Sequence, residues 1–215
     1  MNPLIQFKRI SLPLLIATAL MCGFASLTLW AQQHQSVDNN GGNGRREFSV
    51  SSSTFTDGGT LPLITVWNQC SNYPGGSDES PELSWTNVPR RTQSFVVVAY
   101  DVTASFTHWG MYNISGSSNG LLLNAGIPNS PYGTQVANDF GDLSYDGPCP
   151  PPQFMPVSHT YVFTVYALDI MLPTLPTNGD FPPGAEALYQ ALIAAARDKH
   201  ILDSASIVGR FPQPN

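Results

Sequence analysis

A mainly β fold, with one or two peripheral helices near the C-terminus, is what this sequence predicts. Three observations predict it. Charged residues make up only 11% of the 215, whereas helical bundles usually expose many more. Glycine (18) and proline (19) are both plentiful, which points to a β-rich, loop-rich globule. Runs of strand length recur between clusters of turn formers, against a single segment with helical spacing. The length suits one domain with a sizeable core.

Taken in order, residues 1–31 read as an address rather than as structure. "MNPLIQFKR" is a basic start, and "ISLPLLIATALMCGFASLTLWA" is apolar with small residues towards its end. A secretory signal peptide cleaved after Ala31 or Ala25 fits this pattern. An uncleaved N-terminal membrane anchor is the alternative, since the apolar run approaches spanning length. Cys22 follows Met21, a poor residue before a lipidated cysteine, so no lipoprotein is read here. Residues 32–46, "QQHQSVDNNGGNGRR", have almost no apolar side chain and form a flexible linker in which His34 is simply solvated. The folded domain is expected over 47–215.

Strand signals begin at once. "EFSVSSSTF" (47–55) alternates loosely, "LPLITVW" (61–67) is β-branched, and "SFVVVAY" (94–100) is apolar throughout, as in a strand covered on both faces. "WGMYNI" (109–114), "TYVFTVYAL" (160–168) and a closing "SASIVGRF" (204–211) follow the same style. "NYPGGSDESP", "ISGSSNG", "IPNSPYG" and "YDGPCPPPQ" separate them as turns. The helical segment is "PPGAEALYQALIAAARDKH" (182–200). Proline precedes it, Glu186 lies in its first turn, and Arg197, Lys199 and His200 complement the dipole at its end. Leu188, Leu192 and Ala195 or Ala196 make one apolar face, enough to dock it on a sheet.

Beyond residue 31 the chain carries seven basic against fifteen acidic residues. That field disfavours nucleic acid and anionic lipid surfaces as partners. Membrane contact is expected only through the leader, if it stays uncleaved. Export would leave Cys70 and Cys149, each in a loop, free to pair. Such a bridge closes a loop of roughly 80 residues, which the chain-entropy treatment values at about 4–5 kcal/mol. Two free thiols are the alternative.

Several groups could carry chemistry. "GSSNG" (116–120) matches the Gly-x-Ser-x-Gly nucleophile pattern around Ser118. That chemistry needs a long helix after the serine, and "LLLNAGIPNSP" cannot make one, so a plain turn is the better reading. Asp101, His108 and His159 could form a two-His, one-carboxylate metal site, although nothing in their spacing singles it out. No phosphate loop or zinc-type cysteine pattern occurs, and no cofactor is expected. Asn113-Ile114-Ser115 is a glycosylation sequon, in a strand-like context where it is incidental.

A pocket for an anion or polar head group is the third possibility. Asp101 and His108 lie at the facing ends of two apolar strands. "YDGPCPPP" supplies a stiff wall whose Gly147 lets the backbone come close. His159 and Tyr161 stand two residues apart, on one side of a strand. Imidazoles donate to anions, a carboxylate orients one of them, and tyrosine adds a hydroxyl to an apolar rim. Such sites are concave, mostly apolar and sparing of polar groups. The bland alternative is that each of these residues is merely satisfied within a core.

"SPELSW", the strand ending at Asp101, "THWGMYNI", "NDFGDLSYDGPCPP", "HTYVFTVYALD" and "SIVGRF" occur in this order over Ser80 to about Phe211. In these motifs the chain resembles the phosphatidylethanolamine-binding proteins, especially their bacterial Raf-kinase-inhibitor-like branch. The resemblance implies an antiparallel β-sandwich with a large and a small sheet. It also implies a small pocket for phosphate or a phosphoethanolamine-like head group. By motif, Asp101 matches the family's first loop aspartate and His108 its strand-opening histidine. Pro148 matches the proline after the pocket glycine, and His159 and Tyr161 match the ends of its His-Arg-Tyr element.

Two departures stand out. The family loop Asp-Pro-Asp-Ala-Pro is "DVTAS" here, with Thr103 in place of the second acid and both prolines gone, so a less stiff loop is expected. Thr160 replaces the arginine of His-Arg-Tyr. The expected function is an exported, periplasmic or secreted, non-enzymatic protein that binds a small phosphorylated or anionic ligand. One alternative is a loop-mediated inhibitor or regulator of an extracytoplasmic protein such as a protease. A metal-dependent hydrolase is the other.

Overall fold

The computed structural model describes residues 46–151, 158–176 and 184–212, all within the compact unit Arg45–Asn215. The leader 1–31 and all but the last residue of the linker 32–46 lie outside them. Two sheets form. The smaller contains β1 (Ser49–Ser51), β3 (Leu83–Thr86) and β6 (Gly120–Leu121), in the order β1-β3-β6. The larger contains β2 (Gly59–Thr60), β4 (Ser94–Asp101), β5 (Phe106–Ser115), β7 (Thr134–Gln135), β8 (His159–Leu168) and β9 (Ile201–Phe211). Its order is β2-β9-β8-β4-β5-β7, with β2 parallel to β9 and every other pair antiparallel.

β4 lies inside the large sheet, between β8 and β5, which is why its sequence is apolar throughout. Phe95, Val97 and Ala99 point into the core shared with the small sheet, while Val96 and Val98 join a second core on the opposite face. Trp85 of β3 meets Phe95 with ring centroids 4.8 Å apart, so the two sheets pack face to face as a sandwich.

The second core is closed by the one α-helix among the described residues, α1 (Gly184–Arg197), through Ala187, Leu188, Leu192 and Ala195. Gly110 of β5 makes this docking possible. A Cβ there would stand 2.5 Å from Val136 Cγ2 and 2.9 Å from Leu188 Cδ2. The helix ends in a Schellman turn, with the Lys199 N–H donating to Ala196 and the His200 N–H to Ala195 around a left-handed Lys199 (φ 63°). His200 is indeed a helix-end group, its Nδ1 2.9 Å from Asp169 Oδ1.

One predicted strand does not form. Residues 61–67 contain a 3-10 turn, Leu63–Thr65, instead of an extended run. Pro62 has no N–H for a ladder, and its carbonyl accepts both the backbone N–H and the hydroxyl of Thr65. Thr65 and Val66 are buried by tertiary packing, not by a sheet. "EFSVSSSTF" yields only three strand residues, whereas β9 begins three residues before the predicted Ser204. Cys70 and Cys149 are joined in a disulfide, with Cα atoms 5.6 Å apart.

Candidate functional site

Antiparallel pairing brings the end of β4 beside the starts of β5 and β8. Asp101 is therefore paired with Phe106 on one side and Tyr161 on the other. Because side chains alternate along a strand, Asp101, Phe106 and Tyr161 share the inter-sheet face. His108 reaches the same region by an irregularity. Ala99 pairs with Trp109 and Tyr100 with Thr107, so His108 is an extra residue in a β-bulge.

The Asp101 carboxylate is fully engaged. Its Oδ2 lies 2.6 Å from His159 Nδ1, and its Oδ1 accepts the N–H groups of Thr103 and Ala104 at 2.8 and 3.1 Å. The partner of Asp101 is thus His159, not the facing His108. The loop after β4 is fastened despite its missing prolines. Val102 N–H donates to the Thr160 carbonyl at 3.0 Å, and Thr160 N–H donates to Thr103 Oγ1 at 3.0 Å. Thr103 and Thr160, the replacements for the family's second acid and its arginine, thus bond to each other.

His108 is held by the segment that follows β7. Its Nδ1–H donates to the Asp146 carbonyl at 2.6 Å, and the Asp146 N–H returns a bond to the His108 carbonyl at 3.1 Å. Asn138 locks that segment. Its Oδ1 accepts from Phe140 and Asp142 N–H at 2.9 and 3.1 Å, while its amide nitrogen donates to Ser144 and His108 carbonyls and to the Asp146 carboxylate. The rings of Phe106, Phe140 and Tyr161 surround the imidazole with centroids at 5.2, 5.7 and 5.2 Å. Burial holds the His108 pKa below the usual histidine value, against the opposing pull of the Asp146 carbonyl and of Asp101 and Asp139.

Tyr161 neighbours both imidazoles, its ring centroid 5.2 Å from that of His108 and 6.5 Å from that of His159. Burial, then the neighbouring Asp101 carboxylate, pushes its hydroxyl far above the ordinary tyrosine value. It therefore stays a protonated group at any physiological pH.

Gly147 and Pro148 are placed by the turned segment 61–67. Pro148 is buried and its carbonyl accepts the Trp67 N–H at 3.3 Å. Tyr145 donates its hydroxyl to the Thr65 carbonyl at 2.9 Å. At Gly147 a Cβ would fall 2.0 Å from that same carbonyl oxygen, and its N–H goes to Asp78 Oδ1 at 2.6 Å. The close approach that needs a glycine here is to the protein's own backbone.

Sequence reasoning missed Asn138, Asp146, Phe106 and Phe140. The signal for the first lies in "NDFGD", an asparagine positioned to bond backbone two and four residues on. Among the described residues, no three His, Cys, Asp or Glu side chains are grouped to hold a metal ion. Ser118 sits in the turn between β5 and β6, its carbonyl bonded to the Trp85 indole. The Asn113 amide is occupied on both sides by the Leu172 backbone. His34 lies outside the described residues.

The profile of the family described as "Phosphatidylethanolamine-binding protein" matches residues 51–212. The UPF0098 protein YbhB of Escherichia coli is 35% identical over 167 residues, covering 74% of this chain and 97% of the relative. A UPF0098 protein of Methanothermobacter thermautotrophicus is 34% identical over 165 residues, covering 73% and 93%. The crystal structure of E. coli YbcL, described as a new member of the mammalian PEBP family, superposes with a TM-score of 0.62 at 28% identity. That match covers 79% of this chain and the whole of the other.

Proposed function

This chain belongs to the phosphatidylethanolamine-binding protein family, and on that premise we propose that it is an exported, non-enzymatic protein that binds a small phosphorylated or anionic group. The observation that carries the reading is the convergence of His108, Tyr161 and the His159–Asp101 pair from three strands. Each imidazole spends its Nδ1 inside the protein, which leaves Nε2 of each for a ligand. Asp101 is a ready counter-ion for a protonated His159, whose Nε2–H would then donate to an anion. Pro148 and its segment form the wall.

Export is supported by the leader-like residues 1–31, and the Cys70–Cys149 bridge is compatible with it, since reducing compartments disfavour such bonds. Titration with phosphoethanolamine and with inorganic phosphate, followed by NMR of the imidazole signals, tests the reading. Shifts at His108 and His159 are expected; silence of both at millimolar ligand would count against it. His108→Ala should weaken binding about 10- to 100-fold, as loss of a hydrogen bond to a charged group implies. Unchanged affinity would remove His108 from the site.

A second reading, loop-mediated inhibition of an extracytoplasmic protein, is favoured by Phe140 and Leu143, which are 52% and 40% exposed beside the site. A partner captured equally well by the protein and by its His108/His159 double alanine variant would favour it.

A further inference from the structure

The two imidazoles differ in what their bonds allow. His108 Nδ1 faces a backbone carbonyl, which can only accept, so that nitrogen carries the proton. The return bond from Asp146 N–H and the Asn138 amide fix the pairing, and the ring cannot exchange its nitrogens without breaking it. In the neutral ring Nε2 is then a lone pair. To become a donor it would need a second proton, and so a charge, on a residue 5% exposed and enclosed by Phe106, Phe140 and Tyr161.

The charged and titratable groups facing this ring are Asp101 on β4, His159 and Tyr161 on β8, and Asp139 and Asp146 in the segment after β7. Burial disfavours the charged ring and outweighs Asp101 and Asp139, which favour the extra proton, while His159 also opposes it. Among the described residues, no lysine or arginine is bonded to these groups: Arg91 and Arg197 reach Asp169 and Asp198, and Arg210 the Gly58 carbonyl.

We infer that the pocket selects a phosphomonoester in its singly charged form, with the P–OH hydrogen donated to His108 Nε2, in preference to a phosphodiester. The inference rests on the proposed anion-binding role and specifies its ligand. A diester carries the same single charge without that hydrogen, so one of its oxygens would meet the lone pair as acceptor against acceptor. A doubly charged monoester would add a second negative charge beside Asp101 and Asp139, and a protonated His159 is already paired with Asp101. Head groups such as that of phosphatidylethanolamine are diesters, whereas free monoesters such as phosphoethanolamine keep a P–OH with a pKa near 6. One chemistry therefore separates two sources.

Calorimetric titration of the protein at about pH 6 with methyl phosphate and dimethyl phosphate compares probes that differ in that hydrogen. Phosphoethanolamine and glycerophosphoethanolamine form a second pair. In each, the monoester is expected to bind about 10- to 100-fold more tightly. Its affinity should fall about tenfold per pH unit once pH exceeds the ligand's own pKa. Nitrogen-15 spectra of the ligand-free protein should show His108 neutral, with the proton on Nδ1. Equal affinities within a pair, or a charged or Nε2-protonated His108 at neutral pH, would overturn the inference and leave the anion-binding role intact. Failure of all four probes and of inorganic phosphate to bind would overturn both.

Discussion

Between Ala99 and Tyr100 the pairing of β4 with β5 skips His108, and that single unpaired residue turns the imidazole towards Tyr161. Asp78 works at the same scale on the other side of the wall. It accepts the Gly147 N–H from a left-handed backbone (φ 61°). Burial raises its pKa from 3.8 to about 6, with that N–H opposing and Asp146 and Asp142 adding to the rise. A raised acid favours the protonated native state. Its contribution to stability is thus complete below the unfolded pKa and is lost as pH climbs through about 6. Asp78→Asn keeps an acceptor for Gly147 without the charge. Its melting temperature should exceed that of the parent at pH ~7.5, the gap closing as pH falls towards ~4. A gap that ignores pH would remove Asp78 from this role.

Elements differ in how openly the sequence announces them. β4 and β8 could be read directly, because "SFVVVAY" and "TYVFTVYAL" have the length and apolar content of strands with two neighbours. The helix was equally plain, its buried Leu188, Leu192 and Ala195 falling on one face. Residues 61–67 misled, since β-branched side chains signal burial, and burial here comes from loop packing around Pro62. The docking of α1 on β5 depends on Gly110, which a strand pattern alone does not mark. Gly110→Ala would press a methyl group into Val136 and Leu188. We expect a loss of about 1–3 kcal/mol in denaturant unfolding, as for other overpacked cores. An unchanged midpoint would mean that the helix can shift at little cost.

Across the molecule, the turned segment 61–67, the segment 145–148 and the disulfide form one brace. Tyr145 and Pro148 bond to Thr65 and Trp67, and Cys149 is tied to Cys70. The bridge spans a sequence separation of 79, so removing it should cost about 4 kcal/mol through the unfolded chain. The Cys70→Ser/Cys149→Ser variant should unfold at clearly lower denaturant than the oxidised parent. Coincident curves would show that non-covalent contacts alone hold the brace.

Composition, strand-length runs and turn clusters determined the mainly β class, the central position of β4, the helix and the cysteines available to pair. The types of side chain at the site were legible too, because strand ends and loop motifs are local features. Only the tertiary structure decided their partners. Asp101 took His159, 58 residues away, and His108 took the carbonyl of Asp146, 38 residues away. A hydrogen bond is set by distance and direction in space, and a one-residue bulge or a bonded carbonyl changes both without altering any pattern along the chain.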